Sequence, residues 1–182
     1  MIDTQASRVR AGMVTGAIAL GLAGGAMMVP AAQAAQPAQV PFVTYSPATH
    51  TATVRLIAGL TSANSGYNFD GGAKGAVRIT VPLGTKVVAT FVDNVSMPHS
   101  ALIIPFNVPL TVTPPAPAFP GAASADYRNG TEKGDPASVF TFRANKAGTY
   151  RIVCGVPGHD VAGMWDIFIV SRVARTASFQ KL

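Results

Sequence analysis

From residue 52 onward, the chain alternates between short runs rich in β-branched and aromatic residues and segments rich in Gly, Pro and Asn. The runs are six to eight residues long, which is a typical strand length. No segment of the sequence shows a sustained helical repeat with capping residues. Strands without helical partners cover their apolar faces with other strands, so the pattern predicts an all-β, Greek-key β-sandwich or barrel. The predicted strands span residues 52–58, 76–81, 86–93, 99–105, 138–144, 148–154 and 164–171.

One long stretch, residues 105–137, interrupts this alternation of strands and turns. It contains many prolines and small residues, and a central strand does not tolerate prolines because they cannot donate to the hydrogen-bond ladder. The stretch is therefore predicted to be a long connection, which either carries a function of its own or packs across the sheet.

The first 34 residues have the composition of a targeting segment. Arg8 and Arg10 precede an uncharged, largely apolar stretch at residues 11–29, and small residues in an Ala-x-Ala arrangement end at Ala34. This order is typical of a secretory signal peptide cleaved after Ala34, and the alternative is an uncleaved membrane anchor through residues 11–29. Both alternatives place the rest of the chain outside the cytoplasm, in the periplasm or a similar compartment.

The remainder of the chain has the size of one domain. Residues 35–50 are rich in Pro and Ala and predict an extended lead-in, and residues 51–182 predict a single folded domain. The formal net charge is +6, but the basic residues are scattered and never form a run. The sequence therefore predicts no nucleic-acid partner.

The chain has one cysteine, Cys154, and an exported protein with a lone cysteine cannot form an internal disulfide. Cys154 belongs to the spacing Cys-x4-His-x4-Met, which it forms with His159 and Met164 between two predicted strands. A thiolate and a thioether suit Cu(I), and an imidazole suits both Cu(I) and Cu(II). The spacing therefore predicts a copper site rather than a buried structural thiol.

A blue copper site of this kind needs a second histidine as an equatorial ligand. The chain has three histidines, and besides His159 only His50 and His99 remain. His50 lies in the lead-in and is predicted to be a surface residue, whereas His99 lies at a strand corner that a β-sandwich can bring beside the last hairpin. The predicted metal ligands are His99, Cys154, His159 and Met164.

The stretch "YRIVCGVPGHDVAGMW" resembles the copper loop of the cupredoxins, and of the sulfocyanin group in particular. The stretches "GYNFDGGAKGAVRITVPLGTKVVATFVDN" and "MPHSALII" are similar to the same group, and rusticyanin-like and auracyanin-like proteins share the loop spacing. The resemblance covers about half of the chain, from roughly residue 64 to 104 and from roughly 138 to 170. It implies a β-sandwich that holds one type 1 copper and passes single electrons between larger redox partners.

The resemblance also implies a role for each ligand. His159 is expected near the surface as the point of electron transfer, with Met97, Pro98, Val156 and Pro157 forming either an apolar docking rim or ordinary turn packing. His99 is expected to be buried, with its second ring nitrogen bonded to a backbone carbonyl.

Four further features of the site region receive expected roles: Ser100, Met164, Trp165 and one turn. Ser100 stands where many family members have Asn, and it is expected to tie the two ligand loops together with fewer hydrogen-bonding groups. Met164 is expected as the weak axial ligand, although a core methionine at the start of a strand is the alternative reading. Trp165 is predicted to pack on the opposite face, and the "NFDGG" turn at residues 68–72 is assigned no ligand role.

The functional prediction is an exported, monomeric electron-transfer protein and not an enzyme. Its expected partners are redox proteins such as cytochromes or a terminal oxidase that dock near His159, with a membrane tether if residues 11–29 are retained. The alternatives are a copper carrier or chaperone, and a copper-binding subunit of a larger oxidase or reductase. A catalytic copper would need several more histidines than this chain contains.

Overall fold

A computed structural model describes residues 40–182, and in this part of the chain two β-sheets pack face to face. One sheet has the strand order β1-β2-β4-β6 and the other has the order β5-β7-β8-β3-β9. The all-β sandwich predicted from the sequence is confirmed. The strands are β1 (Val43–Ser46), β2 (Thr51–Ala58), β3 (Val77–Pro82), β4 (Thr85–Asp93), β5 (Leu102–Pro105), β6 (Ser138–Ala144), β7 (Gly148–Val153), β8 (Trp165–Ser171) and β9 (Ser178–Lys181).

The sandwich core follows from the alternation of side chains along each strand. In β3, Val77, Ile79 and Val81 are buried, while Arg78 and Thr80 between them are partly exposed. Because successive side chains in a strand point to opposite faces, each sheet presents one apolar face to its partner. Aromatic rings fill the centre of the space between the sheets, among them Phe69, Phe91, Phe140, Phe142 and Phe168.

The order of the strands places one terminus of each of five strands at the same end of the sandwich. β2 and β4 are parallel and both terminate at this end. β3 and β8 are also parallel, and both begin there. β7 runs antiparallel to β8 and therefore terminates at the same end of the sandwich. The hairpin loop between β7 and β8 thus lies at the end of the sandwich where the chain leaves β4.

The sequence prediction missed the first and last strands. β1 lies inside the predicted lead-in of residues 35–50, and β9 lies near the end of the chain. Both are four residues long, at the edges of their sheets, and lack buried side chains. A short edge strand with little apolar surface has no periodic signal to detect.

The start of β5 was also predicted wrongly. This strand begins at Leu102 rather than residue 99, because the backbone of His99 pairs instead with Thr131 of the long connection. The residues from His99 to Ala101 therefore form a corner that enters β5.

The proline-rich connection, residues 105–137, packs across the sheet, which is one of the two roles the sequence left open. Phe119 is 2% exposed, stacks on Phe142 and packs against the tilted ring of Tyr150 in the core. Ala123 forms an isolated bridge with Leu102, and the Ala118 amide donates to the carbonyl of Ile103. Prolines are tolerated here because the segment is not a central strand.

The predictions for residues 1–34, including the signal peptide and the anchor at 11–29, lie outside the described residues. Among residues 40–182, no helix is long and apolar enough to cross a membrane.

Candidate metal centre

Cys154 follows the last residue of β7, and Met164 precedes the first residue of β8. The Cys154 amide donates to the Met164 carbonyl at 3.2 Å, so the two residues close the base of the hairpin loop. Both side chains are 0% exposed and belong to the main hydrophobic core. Burial and the strand ends therefore hold these two sulfur-bearing residues together.

The loop between them folds into compact turns that place His159. The His159 amide donates to the Val156 carbonyl at 3.2 Å, and the Met164 amide donates to the His159 carbonyl at 2.9 Å. Gly158 has a φ of +88°, a conformation that glycine adopts without steric cost. These turns leave His159 half-buried, with its ring directed toward Cys154, as predicted from the sequence.

Three of the predicted ligands converge on one point. The Sγ atom of Cys154 lies 3.5 Å from Nδ1 of His159 and 3.9 Å from Nδ1 of His99, and the two Nδ1 atoms are 3.2 Å apart. His50 is exposed, as predicted, and does not take part. Among the described residues, this is the one group of His, Cys, Asp and Glu side chains close enough to share an ion.

Ser100 ties the two ligand loops together, as the sequence predicted. Its hydroxyl donates to the Tyr127 carbonyl at 2.7 Å and accepts from the Gly155 amide at 2.8 Å. The Ser100 amide donates to the Cys154 sulfur at 3.4 Å. One hydroxyl therefore links the β5 corner, the long connection and the β7–β8 loop, and the thiol is held in place by backbone contacts.

Burial sets the protonation of the ligands in the absence of a cation. It raises the pKa of the Cys154 thiol to about 11, although hydrogen bonds from the Val156 and Ser100 amides oppose this shift. Burial, and secondarily the neighbouring His159, lowers the pKa of His99 to about 4, and burial also lowers the pKa of His159.

The site is thus a set of one thiol and two imidazoles that are all uncharged at neutral pH. A metal that binds there displaces one proton from the thiol. Because the donors are one thiol and two imidazoles, with a thioether residue beside them, the set fits copper better than hard cations, which prefer oxygen ligands.

The predicted hydrogen bond of His99 to a backbone carbonyl is wrong. Nε2 of His99 is buried and has no hydrogen-bond partner in the described chain. The His99 ring instead meets the ring of Tyr67 edge-on at 5.8 Å. An aromatic ring, rather than a carbonyl, therefore packs beside this imidazole.

Tyr67 is the residue of the site that the sequence did not reveal. Its ring also meets the His159 ring edge-on at 4.8 Å, so it contacts both imidazoles. Two buried side chains anchor its loop: Nδ2 of Asn68 donates to the Thr61 carbonyl at 2.8 Å, and Asp70 accepts the Ile57 amide at 2.8 Å. The "NFDGG" turn thus positions the ring beside the ligands.

The long connection contributes a second unforeseen contact. A Cβ atom at Gly130 would lie 2.7 Å from the His99 carbonyl oxygen and 2.9 Å from its amide nitrogen. Only glycine allows the connection to approach the backbone of this ligand so closely. A glycine in a Gly-rich loop gives no sequence signal for such a contact.

Residues 37–179 match the sulfocyanin (SoxE) domain. The chain belongs to the sulfocyanin family. The sulfocyanin of Sulfolobus acidocaldarius is 26% identical over 137 residues, covering 70% of this chain and 67% of that protein. Sulfocyanins are cupredoxins, so the family and the type 1 copper cofactor predicted from the sequence are confirmed.

The chain is also similar to solved structures at low sequence identity. A crystal structure of rusticyanin variants has a TM-score of 0.50 at 23% identity, covering 71% of this chain and 88% of that chain. Rusticyanin from Thiobacillus ferrooxidans has a TM-score of 0.48 at 24% identity, with the same two coverages of 71% and 88%. Auracyanin B has a TM-score of 0.47 at 22% identity, covering 71% of this chain and 94% of that chain.

The family and the three converging donor atoms together identify the chain as a blue copper electron-transfer protein. The compact, buried donor set is consistent with this chemistry, because a metal held inside a rigid core changes its surroundings little when it gains or loses an electron.

Replacing Tyr67 with alanine is expected to weaken copper binding by roughly 10-fold or more, since side chains that orient metal ligands have effects of this size. The lost ring also admits water to the two imidazoles, which favours Cu(II) and lowers the reduction potential. Tyr67→Phe keeps the ring and is the matched control. Competition with a chelator and voltammetry measure the two effects, and equal losses in both variants would assign the role to the hydroxyl instead.

Proposed function

We propose that the chain is an exported, monomeric carrier of single electrons, with one copper ion held by His99, Cys154, His159 and Met164. The observation that carries the proposal is the convergence of three ligand atoms within 4.8 Å of one another at one end of the sandwich. Copper supplies a one-electron change between Cu(I) and Cu(II) when it is bound there. Met164 completes the set because it is fully buried beside Cys154.

The residues of the site perform the other parts of the task. The backbone amide of Ser100 and the strand ends hold the Cys154 sulfur, and Tyr67 holds both imidazoles. The β7–β8 loop that carries His159 is itself closed by backbone hydrogen bonds. A site that does not rearrange lowers the barrier to each transfer, because the ligands already have the geometry that both oxidation states require.

Electrons are proposed to pass through His159, which is half-buried at the end of the sandwich. Met97, Pro98 and Val156 are partly exposed there, and Pro157 is exposed. The long connection adds to this rim, because the Gly158 amide donates to the Val112 carbonyl at 2.7 Å and the Val112 side chain is 63% exposed. A small apolar rim of this kind suits brief contacts with a redox partner such as a cytochrome or a terminal oxidase.

An enzymatic role is not proposed. The whole chain has three histidines, and His50 is exposed and outside the donor group, so a second copper with histidine ligands would need residues from another chain. A copper carrier is also disfavoured, because the three donor groups are buried or half-buried and ready release needs an accessible metal.

The test uses the copper-loaded protein and a c-type cytochrome in stopped-flow measurements. Val112→Asp is expected to lower the second-order rate constant of electron exchange about tenfold, as a charge buried in an apolar contact costs about 1.4 kcal/mol or more. Val139→Asp is the matched control, because Val139 is also 63% exposed but lies on β6 of the other sheet.

Three outcomes would contradict the proposal. Equal rate constants of electron exchange in the Val112→Asp and Val139→Asp variants would show that the rim is not the docking surface. Rapid transfer of the copper to a competing chelator would favour the carrier. Steady reduction of oxygen or nitrite by the isolated protein would favour the oxidase or reductase.

A further inference from the structure

The exposed carboxyl side chains of the described surface lie at one end of the sandwich. Four of the seven carboxyl side chains among residues 40–182 are buried, namely those of Asp70, Asp93, Asp160 and Asp166. The other three are exposed and lie in one part of the long connection, at Asp126, Glu132 and Asp135. This part adjoins the copper end, because the Lys133 amide donates to the Val95 carbonyl and Thr131 pairs with His99.

The opposite end of the sandwich carries basic side chains only. Lys86 near the start of β4 pairs with Arg143 near the end of β6, and Lys146 lies in the turn that follows. The turn between β3 and β4 joins this group to the end of β8, since the Gly84 amide donates to the Ala144 carbonyl and the Leu83 amide to the Ser171 carbonyl. The five exposed basic residues of this basic end are Lys86, Arg143, Lys146, Arg172 and Arg175.

The basic end also has an apolar tip. Val173 is 84% exposed, the highest value among the exposed large hydrophobic side chains of the described chain. It lies between Arg172 and Arg175 in the connection from β8 to β9. The Val173 and Ala174 amides donate to the Ser171 hydroxyl at 3.2 and 3.0 Å, so this tip is an ordered turn.

We propose that the basic end docks on an anionic lipid surface, with Val173 at the level of the headgroups. The five charges come from separate strand ends and turns, so they are spread over the end of the sandwich and not focused in one cleft. A surface of many anionic headgroups can neutralise spread charges without a matched geometry, whereas a single acidic protein would have to match all of them. An apolar side chain flanked by arginines suits the boundary between headgroups and acyl chains.

This docking sets the orientation of the protein. The copper end lies at the other end of the strands, and its exposed carboxylates offset the charges of Lys74 and Lys133 there. Anionic lipids therefore attract the basic end more strongly than the copper end. His159 therefore faces away from the membrane and stays open to a partner protein. The residues that set this orientation all lie within residues 40–182.

The experiment measures amide hydrogen exchange of residues 172–176 in the full-length, copper-loaded chain with vesicles of phosphatidylglycerol or of phosphatidylcholine. Slower exchange is expected on phosphatidylglycerol only. Removing two charges in Arg172→Gln/Arg175→Gln is expected to lower the affinity of this end for the lipid about 30-fold, at roughly fivefold for each charge. The slowing of exchange is then lost.

Lys74→Gln/Lys133→Gln is the matched control. It removes the same charge from exposed positions near the copper end, where the Lys74 amide donates to the Gly163 carbonyl, and it is expected to keep the slowed exchange. An unchanged visible copper spectrum shows that each variant is folded.

The proposal is overturned by any of four results. These are no slowing of exchange on phosphatidylglycerol, slowing on phosphatidylcholine as well, equal losses in the two double variants, or the same slowing with soluble polyglutamate. The last result would assign the basic end to an acidic protein partner.

Discussion

Replacing Cys154 with serine is expected to abolish the intense visible absorption of the copper-loaded protein. That absorption arises from charge transfer between the thiolate and Cu(II), and a serine hydroxyl is neither soft nor ionised at neutral pH. The Cys154 side chain is 0% exposed, and its Sγ atom lies 3.5 Å from Nδ1 of His159 and 3.9 Å from Nδ1 of His99. The chain has one cysteine, so no second thiol can replace it. Copper affinity is expected to fall by more than the 10–100-fold that the loss of an outer partner causes.

The visible and EPR spectra after addition of Cu(II) measure this result. His50→Gln is the control, because it removes the exposed histidine and leaves the donor group intact, and it is expected to keep the full colour. Circular dichroism shows whether the serine variant is folded. A wild-type protein that binds copper without colour, or a serine variant that keeps the colour, would contradict the assignment of Cys154 as a ligand.

Replacing Phe119 with alanine is expected to destabilise the fold by about 3–5 kcal/mol, the usual cost of removing a buried aromatic ring. Phe119 is 2% exposed, and its ring centroid lies 5.5 Å from that of Phe142 and 4.8 Å from that of Tyr150. The loss is large because the neighbouring rings belong to strands of both sheets and cannot close the cavity.

Urea unfolding of the copper-free protein measures the effect without a contribution from metal binding. Phe106→Ala is the matched control from the same connection, because Phe106 is 37% exposed and its main contact is the Arg151 guanidinium 4.3 Å above its ring. Its loss is expected to be below about 1 kcal/mol. Similar losses in the two variants would mean that the connection is a surface loop and not part of the core.

The strand predictions succeeded where apolar side chains alternate over six or more residues. β3, β6 and β8 lie within one residue of the predicted ranges because their burial alternates through most of their length. The prediction failed at the edges, where β1 and β9 gain their conformation from pairing with a neighbour and not from buried side chains of their own. Pairing with a distant strand is a tertiary property, so a local pattern does not reveal it.

The sequence by itself predicted the three candidate donor residues of the β7–β8 loop, because their spacing places a thiol, an imidazole and a thioether in one hairpin. It also indicated His99, since the other remaining histidine lies in the lead-in. Only the tertiary structure decided what surrounds these ligands: the Tyr67 ring against both imidazoles, and Gly130 against the His99 backbone. Ligand chemistry depends on residue type and is visible in a local spacing, whereas these contacts join segments dozens of residues apart and exist only once the two sheets have packed.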